Sequence, residues 1–242
     1  GRLVSGQASL FRTVGETLHE AITEVPSVLC INMGRGGIGG DGAASRMDLS
    51  MQLRELLDDV DLGEEPGPNP RGRRKKTEAE DASRDDLSAP ERVWRSVRRG
   101  EMRVLIKAER ADDILRALDL SDEYGLSTIL LGAAEGHVVA RELAEAEVPV
   151  FLGPLTTQPS SFEHLRARYE NAAILSRAGV PLAFRTGSAH SSRGLRVSAG
   201  VAVAHGLPWE AAMKALCHGA WAALGQPGEG VLEVGAEAHL VV

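Results

Sequence analysis

No stretch of this sequence approaches the roughly 20 consecutive apolar residues that span a bilayer, and Gly1-Arg2-Leu3 lacks the charged and apolar regions of a signal peptide. A cytoplasmic location is therefore expected, with no membrane partner. The chain does not begin with Met, as a segment of something longer would not. Cysteine is scarce: Cys30 and Cys217 stand far apart, without a CxxC or Cys/His spacing. Neither a disulfide framework nor a structural zinc site is suggested, and a reducing compartment suits such a chain. Aromatic residues make up only 4%, so Ala, Leu, Val and Gly must carry the core. Positive charge is not in excess either. A formal charge of −7 argues against a general affinity for nucleic acid, which favours a basic face.

What is present is an ordinary globular balance, 43% hydrophobic and 25% charged over 242 residues, enough for one large α/β domain. The first 60 residues are mixed. "SVLCINMG" (27–34) reads as a strand, and Met47, Met51, Leu53, Leu56 and Leu57 fall at helical spacing within 43–60, behind Ser45 as a cap. Residues 61–90 combine proline, glycine and charge runs of both signs with hardly an apolar residue, which predicts an exposed, mobile loop. From Pro90 the order becomes regular. Helices are predicted at 90–99, 111–124, 135–146, 169–178, 193–205 and 208–224, with strands at 103–109, 127–132, 148–153 and 180–187. Short apolar strands alternating with amphipathic helices imply parallel strands covered by helices. Periodicity does not decide between a β/α barrel and an open doubly wound sheet. In either, ligands bind at the carboxyl ends of the strands, here Lys107-Ala108-Glu109, Gly132-Ala133-Ala134, Gly153-Pro154-Leu155 and Arg185-Thr186-Gly187.

Lys107 and Glu109 share one face of a strand because side chains alternate. They are candidates for a ligand-binding pair or an altered metal site, with Lys107 carboxylated as a bridge; the plainer reading is a strand-end charge pair tied to Arg110 or Asp112. His137 and His190 lie just beyond strand ends and are further candidates, and Arg185 is a candidate for substrate binding. The other five histidines carry no assigned chemistry. Gly34-x-Gly36-x-x-Gly39 with Asp58 or Asp59 downstream has the spacing of a dinucleotide loop, but Gly40, Asp41 and Gly42 prolong the loop where a helix should open, so a barrel loop is favoured. "RGRRKK" (71–76) is balanced by "EAED" (78–81) and reads as solvated. Ser188, Ser191 and Ser192 beside His190 lack an orienting acid for a nucleophile.

The segments "AERADDILRALDLSDEYGLSTILLGAAEGHVVARELAEAEVPVFLGPL", "ENAAILSRAGVPLAF" and "GLPWEAAMKAL" together resemble the imidazolonepropionase-like branch of the amidohydrolase superfamily. "GEGVLEVGAEAHLVV" is similar to that superfamily's closing motif, and "SGQASLFRTVGET" and "SRMDLSMQLRELL" match more loosely. The resemblance covers most of the chain outside 61–90. It implies a (β/α)8 TIM-like barrel, whole or incomplete within this chain, over residues 1–229, with residues 230–242 returning to a small β-sandwich. It also implies hydrolysis of non-peptide C–N bonds in cyclic or linear amides, assisted by zinc or another divalent metal. A small-molecule ligand is the expected partner, and homo-oligomerisation is open.

The resemblance also marks substitutions. Where relatives read His-Ala-His-Arg-Ala-Asp-Asp, this chain reads Lys107-Ala108-Glu109-Arg110-Ala111-Asp112-Asp113. The next family histidine falls near Gly132 or Ala133, and the late catalytic aspartate near Gly187. The His-x-His pair of the family's first strand would precede residue 1. No metal ligand is therefore assigned, and the alternative reading is a catalytically inactive relative that binds a small molecule or serves as a structural partner.

Overall fold

A computed structural model describes residues 2–11, 16–39, 42–62, 88–155, 161–231 and 233–235. Most of the predicted mobile loop, and the closing residues 236–242 assigned to a sandwich, lie outside the described residues. Six strands form one sheet in sequential order: β1 (Val4–Phe11), β2 (Ile22–Asn32), β3 (Arg103–Ala108), β4 (Thr128–Gly132), β5 (Val150–Leu152) and β6 (Leu182–Phe184). β1 pairs antiparallel with β2, and all later neighbours pair in parallel. An order without reversal lacks the switch point of a doubly wound sheet. Five parallel strands follow one another in chain order, and among the described residues the sheet does not close on itself.

The helices are α1 (Leu18–Ala21), α2 (Arg46–Asp58), α3 (Ala89–Arg98), α4 (Ala111–Tyr124), α5 (Ala140–Glu145), α6 (Asn171–Ala178), α7 (Leu195–Ala204) and α8 (Trp209–Ala223). Ser45 caps α2 as expected, its side chain accepting from the Asp48 N–H, which satisfies one of the orphan donors of the first turn. The predicted helix over 135–146 divides into a 3-10 turn at Gly136–Val138 and the short α5. The glycine-rich run at 34–39 folds as a 3-10 turn at Arg35–Gly37, and α2 opens only after Ser45, which removes the geometry of a phosphate loop.

Alternation along β3 separates two faces. Val104, Ile106 and Ala108 are fully buried against the helices, together with Leu29, Ile31, Leu130, Val150 and Leu152 from neighbouring strands. The other face carries the row Asn32, Lys107, Leu131, Phe151 and Ala183 at matching register. Glu109 and Arg185 follow directly on the carboxyl ends of β3 and β6.

α8 packs against β6 closely enough that a Cβ at Gly219 would overlap the Leu182 carbonyl oxygen. Alanine there adds helix propensity of about 1 kcal/mol but must push α8 off the strand, an overpacking cost of about 1–3 kcal/mol. Gly219→Ala is expected to lower Tm by several degrees in a thermal melt. An unchanged or raised Tm would show that the helix yields freely.

Candidate functional site

The carboxyl ends of β3 to β6 enclose a cleft of about 110 Å³, lined among others by Glu109, Gly132, His164, Asn171 and Arg185. Glu109 is its centre. The residue is 5% exposed, and its carboxylate accepts one hydrogen bond, from the Ala134 N–H at 3.2 Å. His164 Nε2 lies 4.0 Å and Arg185 Nη2 3.9 Å from Glu109 Oε1. Burial raises the Glu109 pKa above its ordinary 4.5, a rise that His164, Arg185, the Ala134 N–H and Lys107 only partly oppose. Burial likewise lowers the Arg185 pKa below the usual guanidinium range, against the pull of Glu109. The guanidinium makes one long bond, 3.4 Å to the Thr186 carbonyl, and its Nε has no partner. Both charges therefore keep capacity for a ligand.

The turn after β4 builds this arrangement. Gly132 has φ +105°, and a Cβ there would overlap the Glu109 carboxylate, so the carboxylate occupies space that any side chain at 132 would claim. Ala133 follows at φ +52°, an uncommon conformation for alanine, fixed by its N–H bonding the Ala108 carbonyl and its own carbonyl accepting from Asn171 Nδ2 at 2.8 Å. The Glu135 N–H returns to the Glu109 carbonyl, while Glu135 Oε2 accepts from the Ala111 N–H at the start of α4. Gly153, at φ +122°, lets its backbone meet the Arg185 carbonyl, bringing the ends of β5 and β6 together.

The candidates from sequence divide. Glu109 and Arg185 meet in the cleft. Lys107 is half-buried one step below on the same face, close enough to favour the Glu109 anion. Arg110 pairs with Asp112 at 3.1 Å, while the charged neighbours of Glu109 are His164, Arg185 and Lys107. His137 lies in the 3-10 turn behind Ala134, with its pKa lowered first by burial and then by Arg168 and Arg166. His190 is exposed in the 3-10 turn Ala189–Gly194 and does not line the cleft, and Ser188 bonds Ser191 rather than His190. His164, assigned no role from sequence, is in contact range of Glu109, as is Asn171 of the turn that holds it.

The donor set does not fit the divalent metal that the resemblance implies. The carboxylate lining the cleft, Glu109, is opposed by the Arg185 guanidinium and the Lys107 ammonium, and repulsion from these cations works against a metal cation beside them. Among the described residues no three His, Cys, Asp or Glu converge on a point. Nor is any described helix long and apolar enough to cross a membrane.

A sequential, mostly parallel sheet with charged residues at its carboxyl ends defines an α/β protein with a candidate strand-end site. Its fold is that of an amidohydrolase from Thermotoga maritima, whose crystal structure matches with a TM-score of 0.80 at 22% identity, over 98% of this chain and 63% of that one. The chain thus spans somewhat less than two thirds of that relative. Weaker similarities are to an uncharacterized protein, at TM-score 0.47, 18% identity and 63% and 41% of the two chains, and to a prolidase complexed with N-methylphosphonate-L-proline, at 0.45, 19%, 62% and 40%. No family model and no curated protein matches the chain.

Proposed function

We propose that this chain carries the strand-end site of a hydrolase acting on the non-peptide C–N bond of a small cyclic or linear amide. The observation that carries this reading is the buried Glu109 carboxylate with His164 Nε2 and Arg185 Nη2 held 4.0 and 3.9 Å away, too far to hydrogen bond and near enough to share a bound group. A carboxylate of raised pKa beside specific charged partners in a cleft is the signature of a functional acid or base. Glu109 takes a proton from water as the water oxygen bonds to the amide carbon. The carbonyl oxygen, gaining charge, is stabilised by Arg185 and His164. Glu109 then delivers that proton to the nitrogen as the C–N bond breaks. The amidohydrolase fold supports the same chemistry at the level of architecture.

A second reading, a relative that binds a small molecule without hydrolysing it, is favoured by Lys107, Glu109 and Gly132 or Ala133 standing where the resemblance expects histidines, and by Gly187 near where it expects aspartate. Purified protein assayed against a panel of small cyclic and linear amides separates the two. Turnover that falls about 10²-fold or more in Arg185→Met, as for loss of an oxyanion donor, supports the hydrolase. Ligand binding that Arg185→Met weakens, without turnover in the parent, supports the binding protein.

A further inference from the structure

Resting on the hydrolase reading, we infer that Glu163 is a positioning residue, which with Arg46 and Asp113 holds His164 against Glu109. Glu163 and His164 share one short 3-10 turn, Phe162–His164, and their side chains meet different partners. His164 Nδ1 meets Ser161 Oγ at 3.0 Å, leaving Nε2 to face Glu109. Glu163 instead accepts from the Arg35 N–H and from Arg46 Nη2 at 2.9 Å. Arg46 is in turn fixed by both oxygens of Asp113, at 3.0 Å each, and Asp113 also receives Arg116 at 3.1 Å.

These are not surface pairs. Asp113 is wholly buried and Glu163 9% exposed, and together they join α2, α4, the turn after β2 and the cleft wall across more than a hundred residues of sequence. The turn after β2 is shaped to admit the carboxylate, since a Cβ at Gly34 would fall 2.7 Å from Glu163 Oε1. A wall segment carrying exposed Phe162 and Leu165 has little apolar packing of its own. Its register is therefore set by the Glu163 clamp. Of the charged groups lining the cleft with His164, Glu109 lies 4.0 Å from it, and Arg168 and Arg185 complete the set among the described residues.

The test follows the imidazole directly. In the full chain labelled with ¹⁵N-histidine, the ring signals of His164, assigned by their loss in His164→Asn, are recorded across pH for the parent, Glu163→Gln, Arg46→Met and Gly34→Ala. Glu163→Gln keeps the size of the side chain and an acceptor for Arg35 but drops the charge that grips Arg46. All three variants are expected to move the His164 ring signals while leaving the ring signals of His205 and His218 in place. Where the parent turns over an amide, kcat falls about 10-fold to 10²-fold with KM little changed, the scale of a misplaced catalytic group, and Glu163→Gln with Arg46→Met is no worse than either alone. His164 signals that stay unchanged in folded Glu163→Gln and Gly34→Ala would overturn the clamp. A parent without turnover whose His164 signals nevertheless shift would defeat the hydrolase reading and leave the clamp standing.

Discussion

Glu109→Gln is expected to lower kcat/KM for amide hydrolysis by about 10²-fold to 10⁴-fold, the contribution of a positioned general base, while leaving the protein folded and more resistant to heat at neutral pH. Both effects come from one cause. Burial makes the folded state hold the Glu109 proton more tightly than the unfolded chain does. As the pH rises above the ordinary value of 4.5, the unfolded chain ionises first, and the folded state is progressively penalised until it too has lost the proton. The parent should therefore lose stability through that window, and Glu109→Gln, neutral throughout and still able to accept from the Ala134 N–H, should lose less. Activity runs the opposite way. The base must be ionised, so kcat/KM of the parent rises with pH on an acid limb displaced upward from 4.5. Thermal melts of both proteins from pH 4 to 8, beside a pH-rate profile of the parent, check the pair of signs. A glutamine variant within about threefold of the parent rate would remove Glu109 from the chemistry, since removal of a general base costs far more than that.

The rate and stability effects oppose one another because the site is built at the expense of the fold. A carboxylate with a single hydrogen bond and two cations near 4 Å is poorly compensated for its burial. Gly132 and Ala133 add backbone conformations that most residues avoid. Strain and uncompensated charge gathered at one set of strand ends are what a functional cleft looks like energetically, whichever ligand fills it.

Much of this frame was legible along the chain. The alternation from Pro90 onward marks four parallel strands and their helices to within a few residues, because apolar runs bounded by Gly and Pro leave few other solutions. The Ser45 cap and the strand-end placement of Glu109 and Arg185 follow from the same local rules. β1 escaped notice because "VSGQASLF" has no buried face: its exposure does not alternate, and only pairing with β2 makes it a strand. His164 escaped for another reason. It sits in an irregular segment between β5 and α6, where no periodicity says which way a side chain turns, and its orientation depends on Arg46 and Asp113, 118 and 51 residues upstream. His190 follows a strand end as His137 does, yet the 3-10 turn after β6 carries it out to solvent. Following a strand end in sequence is thus not sufficient for the cleft, and His164 shows that it is not required.

Asp113→Ala is expected to cost about 3 kcal/mol, the lower part of the range for breaking a buried pair, and so to lower Tm by about 6–12 °C in a chain of this length. The carboxylate gains little for itself by ionising, because burial raises its pKa above 3.8 against the opposing pull of Arg46 and Arg116. What truncation removes is the compensation of two guanidinium groups. Arg46 and Arg116 are 27% and 35% exposed at the side chain, so water relieves part of the cost and the upper part of the range is not reached. The acid also stands in the first turn of α4, where its charge favours the helix dipole. Replacing both members of the Arg46–Asp113 pair, in Arg46→Met with Asp113→Ala, should therefore lose clearly less than the two single losses added together, since the second change removes the charge that the first leaves unpaired. Differential scanning calorimetry of the four proteins measures the coupling. Strict additivity, or an Asp113→Ala loss below about 2 °C, would mean that the network spanning α2, α4 and the cleft wall carries no stability of its own, and that the wall is held by contacts other than these charges.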